Sequence, residues 1–264
     1  MTTEAPAVDL DWAVDEDLPP GPYPRDSEFV FRRVPQLVTD VATRGTPGRV
    51  LDVACGLGGQ LALLRERGWD AWGLDASMAL ARHIQRRFER DAPVVVAVAE
   101  ALPFRSGSFD RIVCQGSLDH FPQPRAFMRE VARVLKPNGH AIIGISNFDS
   151  LSCRLGQGLY GMKARWSLPV YLGRNFWQIP ANHTFRGTYR VLKGLGGPEL
   201  ELVECRGVSL LWLFHRWTRL VQALPEPLAN AALTSLDRIA YRAPAIADLL
   251  VSVWRPRRNA HDAG

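Results

Sequence analysis

Two carboxylates punctuate two apolar runs of this chain. Asp52 interrupts Arg49-Val50-Leu51-Asp52-Val53, which leads into Ala54-Cys55-Gly56-Leu57-Gly58-Gly59, and Asp75 closes Ala71-Trp72-Gly73-Leu74-Asp75. A strand feeding a glycine turn and then a helix is the layout of a nucleoside-cofactor site at the carboxyl edge of a parallel sheet. Gly56 and Gly58 let the backbone pass close beneath a ligand, where a Cβ would clash. Asp52 is placed for a cationic or amino group, and Asp75 for both hydroxyls of a ribose. The helix expected over 60–67 offers its unpaired N–H groups to the same ligand.

The elements that must position these residues follow in order. Apolar residues at helical spacing predict a helix over Ser27–Thr43, kinked or restarted at Pro35. Strands are expected at 49–53, 71–75, 94–99, 109–115 and 140–146. Helices should lie between them at 60–67, 78–90 (with Ser77 as N-cap) and 124–135. The run Val94–Ala99 reads as a fully buried strand, and Asn138-Gly139 as a turn that suits positive φ. Beyond residue 147 a helix over Thr184–Leu195, ended by Gly196-Gly197, precedes strands at Glu199–Gly207 and Ile246–Arg255. The alternation of the last run fits a strand pairing antiparallel. Between them, Leu210–Leu224 places Leu213, Trp217, Leu220 and Leu224 on one helical face and arginines on the other. Trp212 falls among those arginines. A core helix with one stray aromatic, a membrane-surface contact and a cover over a ligand pocket all fit that pattern.

Five ordered pieces carry a family resemblance: VLDVACGLGG (50–59), GLDAS (73–77), AEALPF (99–104), SFDRIVCQGSLDHF (108–121) and REVARVLKPNGHAII (129–143). Over roughly residues 48–147 the chain resembles the class I S-adenosylmethionine-dependent methyltransferases, in the type 11-like branch that modifies small molecules such as quinones, sterols and natural products. The resemblance implies an α/β, doubly wound, Rossmann-like sheet of seven strands, order 3-2-1-4-5-7-6 with strand 7 antiparallel. It implies a mobile arm at 1–26 and a cofactor-binding core at 27–147. An acceptor-pocket insertion at 148–183 follows, and the C-terminal part of the core occupies 184–264. S-adenosylmethionine would be the cofactor, contacted by Asp52, Ala54, Gly56, Gly58, Asp75, Ala76, Ala99, Glu100 and Gln115. Where the family commonly carries an Asp before the Ala-Glu pair, Val98 stands here, so Glu100 or a main-chain carbonyl would receive the adenine amino group. Trp12 and Tyr23 of the arm are candidate lid contacts.

The implied reaction is in-line displacement of the methyl group onto an oxygen or carbon of a small, ring-containing acceptor. The sulfonium already makes the methyl electrophilic, so the protein's work is binding, alignment and exclusion of water. A base is needed only for a nucleophile whose proton has a high pKa, and the candidates are His120, His183 and Asp119. Tyr160, Tyr171 and Trp177 are candidate acceptor contacts, with packing among the insertion's own aromatics as the alternative. No metal is expected.

Composition excludes other classes. The charge of +5 is scattered apart from Arg255-Pro256-Arg257-Arg258, unlike the concentrated basic face of nucleic-acid binders. The four cysteines lack C-x-x-C spacing. The acidic first twenty residues contain no apolar leader, and no run is long enough to span a bilayer. A cytoplasmic protein is expected. A nicotinamide dehydrogenase would need glycine at Leu61, and the motif of amino-group DNA methyltransferases is replaced by Gln115-Gly116-Ser117-Leu118. A methyltransferase fold that keeps its cofactor for a non-methylating or scaffolding role is the alternative.

Overall fold

The computed structural model describes residues 23–88, 93–165 and 175–257. Trp12, Tyr171 and Arg258 lie outside them. In chain order the elements are α1 (Arg25–Ala42), β1 (Arg49–Val53), α2 (Gly59–Glu66), β2 (Asp70–Asp75), α3 (Met78–Arg87), β3 (Val94–Val96), β4 (Phe109–Gln115), α4 (Pro124–Val134), β5 (Leu135–Ser146), α5 (Leu151–Arg165), α6 (Tyr189–Gly194), β6 (Leu200–Val208), α7 (His215–Ala223), α8 (Glu226–Arg242) and β7 (Leu249–Pro256). Seven strands form one sheet in the order β3-β2-β1-β4-β5-β7-β6. β7 pairs antiparallel with both β5 and β6, and the remaining pairs are parallel. The expected topology is the observed one.

The central strands bury both faces because helices cover the sheet on both sides. Val50 and Val113 share one cluster with Phe29, Val34 and Leu37 of α1 and Leu61 and Leu64 of α2. Leu51, Ile112 and Ile143 point the other way, into Phe127, Met128 and Val131 of α4 and Leu192 of α6. Full burial of each such leucine or phenylalanine stabilises the fold by roughly 1.5–3 kcal/mol. Ser77 caps α3 as expected, its side chain accepting from Leu80 N at 3.3 Å.

Several expectations are corrected. α1 begins at Arg25 and runs through Pro35 as one helix. β3 stops at Val96 and is half-buried, because it is the edge strand. Neither Asn138 nor Gly139 has a positive φ; 136–139 are extended within β5, where the register against β4 shifts between Phe109 and Arg111. α6 starts five residues later than the helix expected from Thr184. Thr184 N instead donates to Asp119 O at 2.7 Å, and Phe148 N donates to Gly187 O at 2.9 Å. These tertiary bonds keep 184–187 out of the helix.

The stretch 210–224 is not one helix either. Ser209, Leu211 and Leu213 have φ of 61°, 66° and 63°, so the chain turns repeatedly before α7 begins at His215. Trp212 sits in this turn, not among the arginines of a helix. Its Nε1 donates to Ser27 Oγ at 3.1 Å, and its ring meets Phe31 edge-on at 6.2 Å. α8, absent from the sequence reading, packs on β6 at Gly207, where an added Cβ would collide with Ala240 O and Ala247 Cβ.

Candidate functional site

The glycine turn is built by three left-handed residues. β1 leads into Ala54 at φ 54°, Gly56 at 51° and Gly58 at 75°. Gly58 is the N-cap of α2, and its N–H donates to Cys55 O at 2.8 Å. Left-handed backbone costs a non-glycine residue roughly 1–2 kcal/mol, so Ala54 is a strained position of the kind that clusters at ligand sites. Asp75 supplies the restraint. Its Oδ2 accepts from Gly56 N and its Oδ1 from Ser77 N, both at 2.9 Å. One carboxylate at the end of β2 therefore fixes both the glycine turn of β1 and the entry to α3.

Above this turn lies an open cavity of about 660 Å³, walled by α1, α2 and the ends of β1 and β4. Asp52, Ala54, Gly56 and Gln115, four of the cofactor candidates, line it. Asp52 is 2% exposed and its Oδ2 makes no hydrogen bond. Burial, and secondarily the charge of Asp75, push its carboxyl up to about 8. Gln115 Oε1 and Gln60 Oε1 are also buried without a hydrogen-bond donor. Buried acceptors without partners are rare enough to call for an explanation. A ligand carrying an ammonium and other N–H or O–H donors provides one.

Gln60 was missed by the sequence reading. It lies in the first turn of α2, and its Nε2 donates to Thr39 Oγ1 of α1 at 2.7 Å. The legible signal was a polar residue just after the glycine turn and beside the buried Leu61. Asp75, Gly58, Ala76, Ala99 and Glu100 are not among the residues lining the cavity. Ala99 is buried in the core, and Glu100 Oε1 accepts from Gln123 N at 3.1 Å.

On the other side of Gln115 and Ser117 the chain makes a 3-10 turn, Leu118–His120. Here the three residues proposed separately as bases come together. Asp119 is 2% exposed, and its Oδ2 lies 3.2 Å from His183 Nδ1. The rings of His120 and His183 meet at 4.5 Å, and Phe148 covers His183 at 5.6 Å. Thr184 secures the arrangement, with its Oγ1 donating to Phe121 O at 2.7 Å while its N–H binds Asp119 O. Tyr160 and Trp177 lie together, 5.9 Å between rings, with Phe176 4.9 Å from Trp177. Trp177 and Phe176 also lie against Gly156 of α5, so these aromatics pack on one another within the insertion.

Residues 51–143 match the family described as a methyltransferase domain. An uncharacterized protein of Methanocaldococcus jannaschii is 43% identical over 99 residues, which make up 37% of this chain and 37% of that protein. The demethylmenaquinone methyltransferase of Renibacterium salmoninarum is 34% identical over 113 residues, 42% of this chain and 47% of the relative. The chain thus spans less than half the length of these curated relatives. Among solved structures, the PH0226 protein from Pyrococcus horikoshii OT3 superposes with a TM-score of 0.58 at 19% identity, over 88% of this chain and 92% of that one. At that identity the likeness is one of fold. Among the described residues, no helix is long and apolar enough to cross a membrane.

Proposed function

From the match of residues 51–143 to a methyltransferase-domain family, we propose that this chain is a class I S-adenosylmethionine-dependent methyltransferase that transfers the methyl group of S-adenosylmethionine to an oxygen or carbon of a small, ring-containing acceptor. The observation that carries this reading is the clamped glycine turn beneath a cavity whose Asp52 carboxyl is buried without a hydrogen-bond partner at Oδ2.

The residues present fit the cofactor. Bound S-adenosylmethionine supplies a methyl group made electrophilic by its sulfonium. Asp52 ionises against the methionine amino group, and Gln60 and Gln115 offer their unpaired oxygens nearby. Each oxygen of Asp75 has given one lone pair to a backbone N–H, which leaves it a second for a ribose hydroxyl. The backbone of 56–58 passes beneath the ligand, and Ala76, Ala99 and Glu100 flank the adenine. Asp119, His120 and His183 meet the acceptor just beyond Gln115 and promote loss of its hydroxyl proton. A ring-containing acceptor is supported by the Renibacterium relative, which is named for demethylmenaquinone. Holding acceptor and methyl in line supplies most of the acceleration such a reaction needs.

Calorimetric titration with S-adenosylmethionine and S-adenosylhomocysteine tests the cofactor site. Micromolar binding is expected for the wild type and at least about a tenfold loss (roughly 1.4 kcal/mol) for Asp75→Ala. Transfer of a labelled methyl group to a panel of phenols, quinols and enols then tests the reaction. Absence of binding by the folded protein overturns the reading. Tight binding with no transfer to any acceptor would favour the non-methylating role.

A further inference from the structure

We propose that Asp119, His120 and His183 form a binding site for a divalent first-row transition-metal ion of the zinc class. One donor atom from each lies within 4.8 Å of the other two. Two imidazole nitrogens and one carboxylate oxygen suit Zn²⁺, Co²⁺ or Fe²⁺ and disfavour Mg²⁺ and Ca²⁺, which take mainly oxygen ligands.

One pair of the donors has the spacing of two ligands to one ion. Two donors each about 2.0–2.1 Å from tetrahedral zinc lie roughly 3.3 Å apart. Asp119 Oδ2 and His183 Nδ1 are 3.2 Å apart. The third donor, on His120, lies within 4.8 Å of the other two, and its ring meets that of His183 edge-on at 4.5 Å. Asp119 is the observation that separates this cluster from an ordinary surface group. It is 2% exposed, and its second oxygen, Oδ1, is buried with no hydrogen bond. A buried carboxylate facing imidazole is stabilised when a cation shares the space. The frame is also fixed: both Thr184 N and Thr184 Oγ1 donate to Asp119 O, at 2.7 and 3.1 Å. This holds His183 against Asp119 across 63 residues of intervening chain.

Three protein ligands leave the fourth position of a tetrahedral ion open, as in catalytic zinc sites. The consequence for catalysis rests on the methyl-transfer reading above. An acceptor hydroxyl bound at the open position loses its proton to solvent, because a bound divalent ion lowers the pKa of a coordinated O–H. That oxygen then forms its bond to the methyl carbon as the carbon–sulfur bond breaks, leaving S-adenosylhomocysteine as the neutral thioether.

The test uses tag-free, chelator-treated full-length protein titrated with Co²⁺ alone, read by visible d–d absorption and by calorimetry, with Zn²⁺ as competitor. The proposal expects one ion per chain, the intense bands of four-coordinate Co²⁺, and displacement by Zn²⁺. Asp119→Asn, His120→Gln and His183→Gln should each weaken Co²⁺ binding by more than about 100-fold, beyond the 10–100-fold typical of residues that merely support a ligand. Circular dichroism establishes that each variant is folded, and His120→Gln, which leaves the Asp119–His183 contact in place, serves if the other two variants fail to fold. Asp75→Ala should lose S-adenosylmethionine and keep Co²⁺, so failure of the metal site and failure of the cofactor reading give different results. Absence of Co²⁺ bands in folded wild type, or binding unchanged by His120→Gln, overturns the proposal.

Discussion

Asp52 stands at about 8 because it is buried beside Asp75, so near neutral pH the free protein holds it protonated. An ammonium brought against it favours the carboxylate, and binding must then release that proton. Cofactor affinity is therefore expected to rise with pH toward about 8, by up to about tenfold per unit. Calorimetry in two buffers of different ionisation enthalpy should report the released proton directly. Asp52→Asn should flatten the profile and weaken binding. Asp75 does different work. Asp75→Ala strands the N–H groups of Gly56 and Ser77, and an unpaired buried donor costs about 1–3 kcal/mol. A loss of stability in that range should accompany its loss of cofactor binding in chemical denaturation, whereas Asp52→Asn should leave stability nearly unchanged or raise it.

The elements divide into those a single strand or helix can announce and those that only the fold dictates. Gly207 belongs to the second group. Its missing side chain lets α8 lie directly on β6, and overpacking of this kind costs roughly 1–3 kcal/mol. Gly207→Ala should lower the unfolding free energy measured in urea by that amount and leave cofactor affinity untouched, since Gly207 lies outside the cavity. The strands were legible because buried apolar runs ending in Asp, Gln or Pro leave little choice of period, and the turn at 54–58 was legible from its glycines. The left-handed Ser209, Leu211 and Leu213 were not, because no residue there advertises positive φ. α8 escaped because its exposed Leu228 and Ile239 blur the apolar stripe. The Asp119–His183 contact was unreadable for another reason. Each residue was legible alone, but their meeting depends on 184–187 being tied to 119, 121 and 148 instead of continuing a helix.

Across the whole molecule, Asp248 ties distant segments together. Its Oδ1 accepts from Ser152 Oγ in α5, its Oδ2 from Trp212 N at 2.8 Å, and its N–H donates to Ser209 O at 3.0 Å. Through Trp212 the same group reaches Ser27 of α1. Burial raises its carboxyl to about 7 against the hydrogen bonds that favour the charged form. A carboxyl raised on folding contributes stability that is complete below the unfolded value of about 3.9 and is lost as pH climbs through about 7. The slope approaches about 1.4 kcal/mol per pH unit within that window. Urea melts across the window should show this decline, Asp248→Asn should reduce its slope by up to about 1.4 kcal/mol per pH unit, and the remainder should belong to Asp52, whose carboxyl is raised to about 8. The order β5-β7-β6 has its own consequence for how the protein is made. Both sides of the slot filled by β7 are built from segments synthesised earlier, so a nascent chain that ends before Leu249 leaves β5 and β6 with open hydrogen-bonding edges. Ile142, Ile143 and Ile145 lie on one of them. Exposed apolar edges of that kind recruit other chains. The interval before the last strand threads home is when this protein depends most on dilution or on a chaperone.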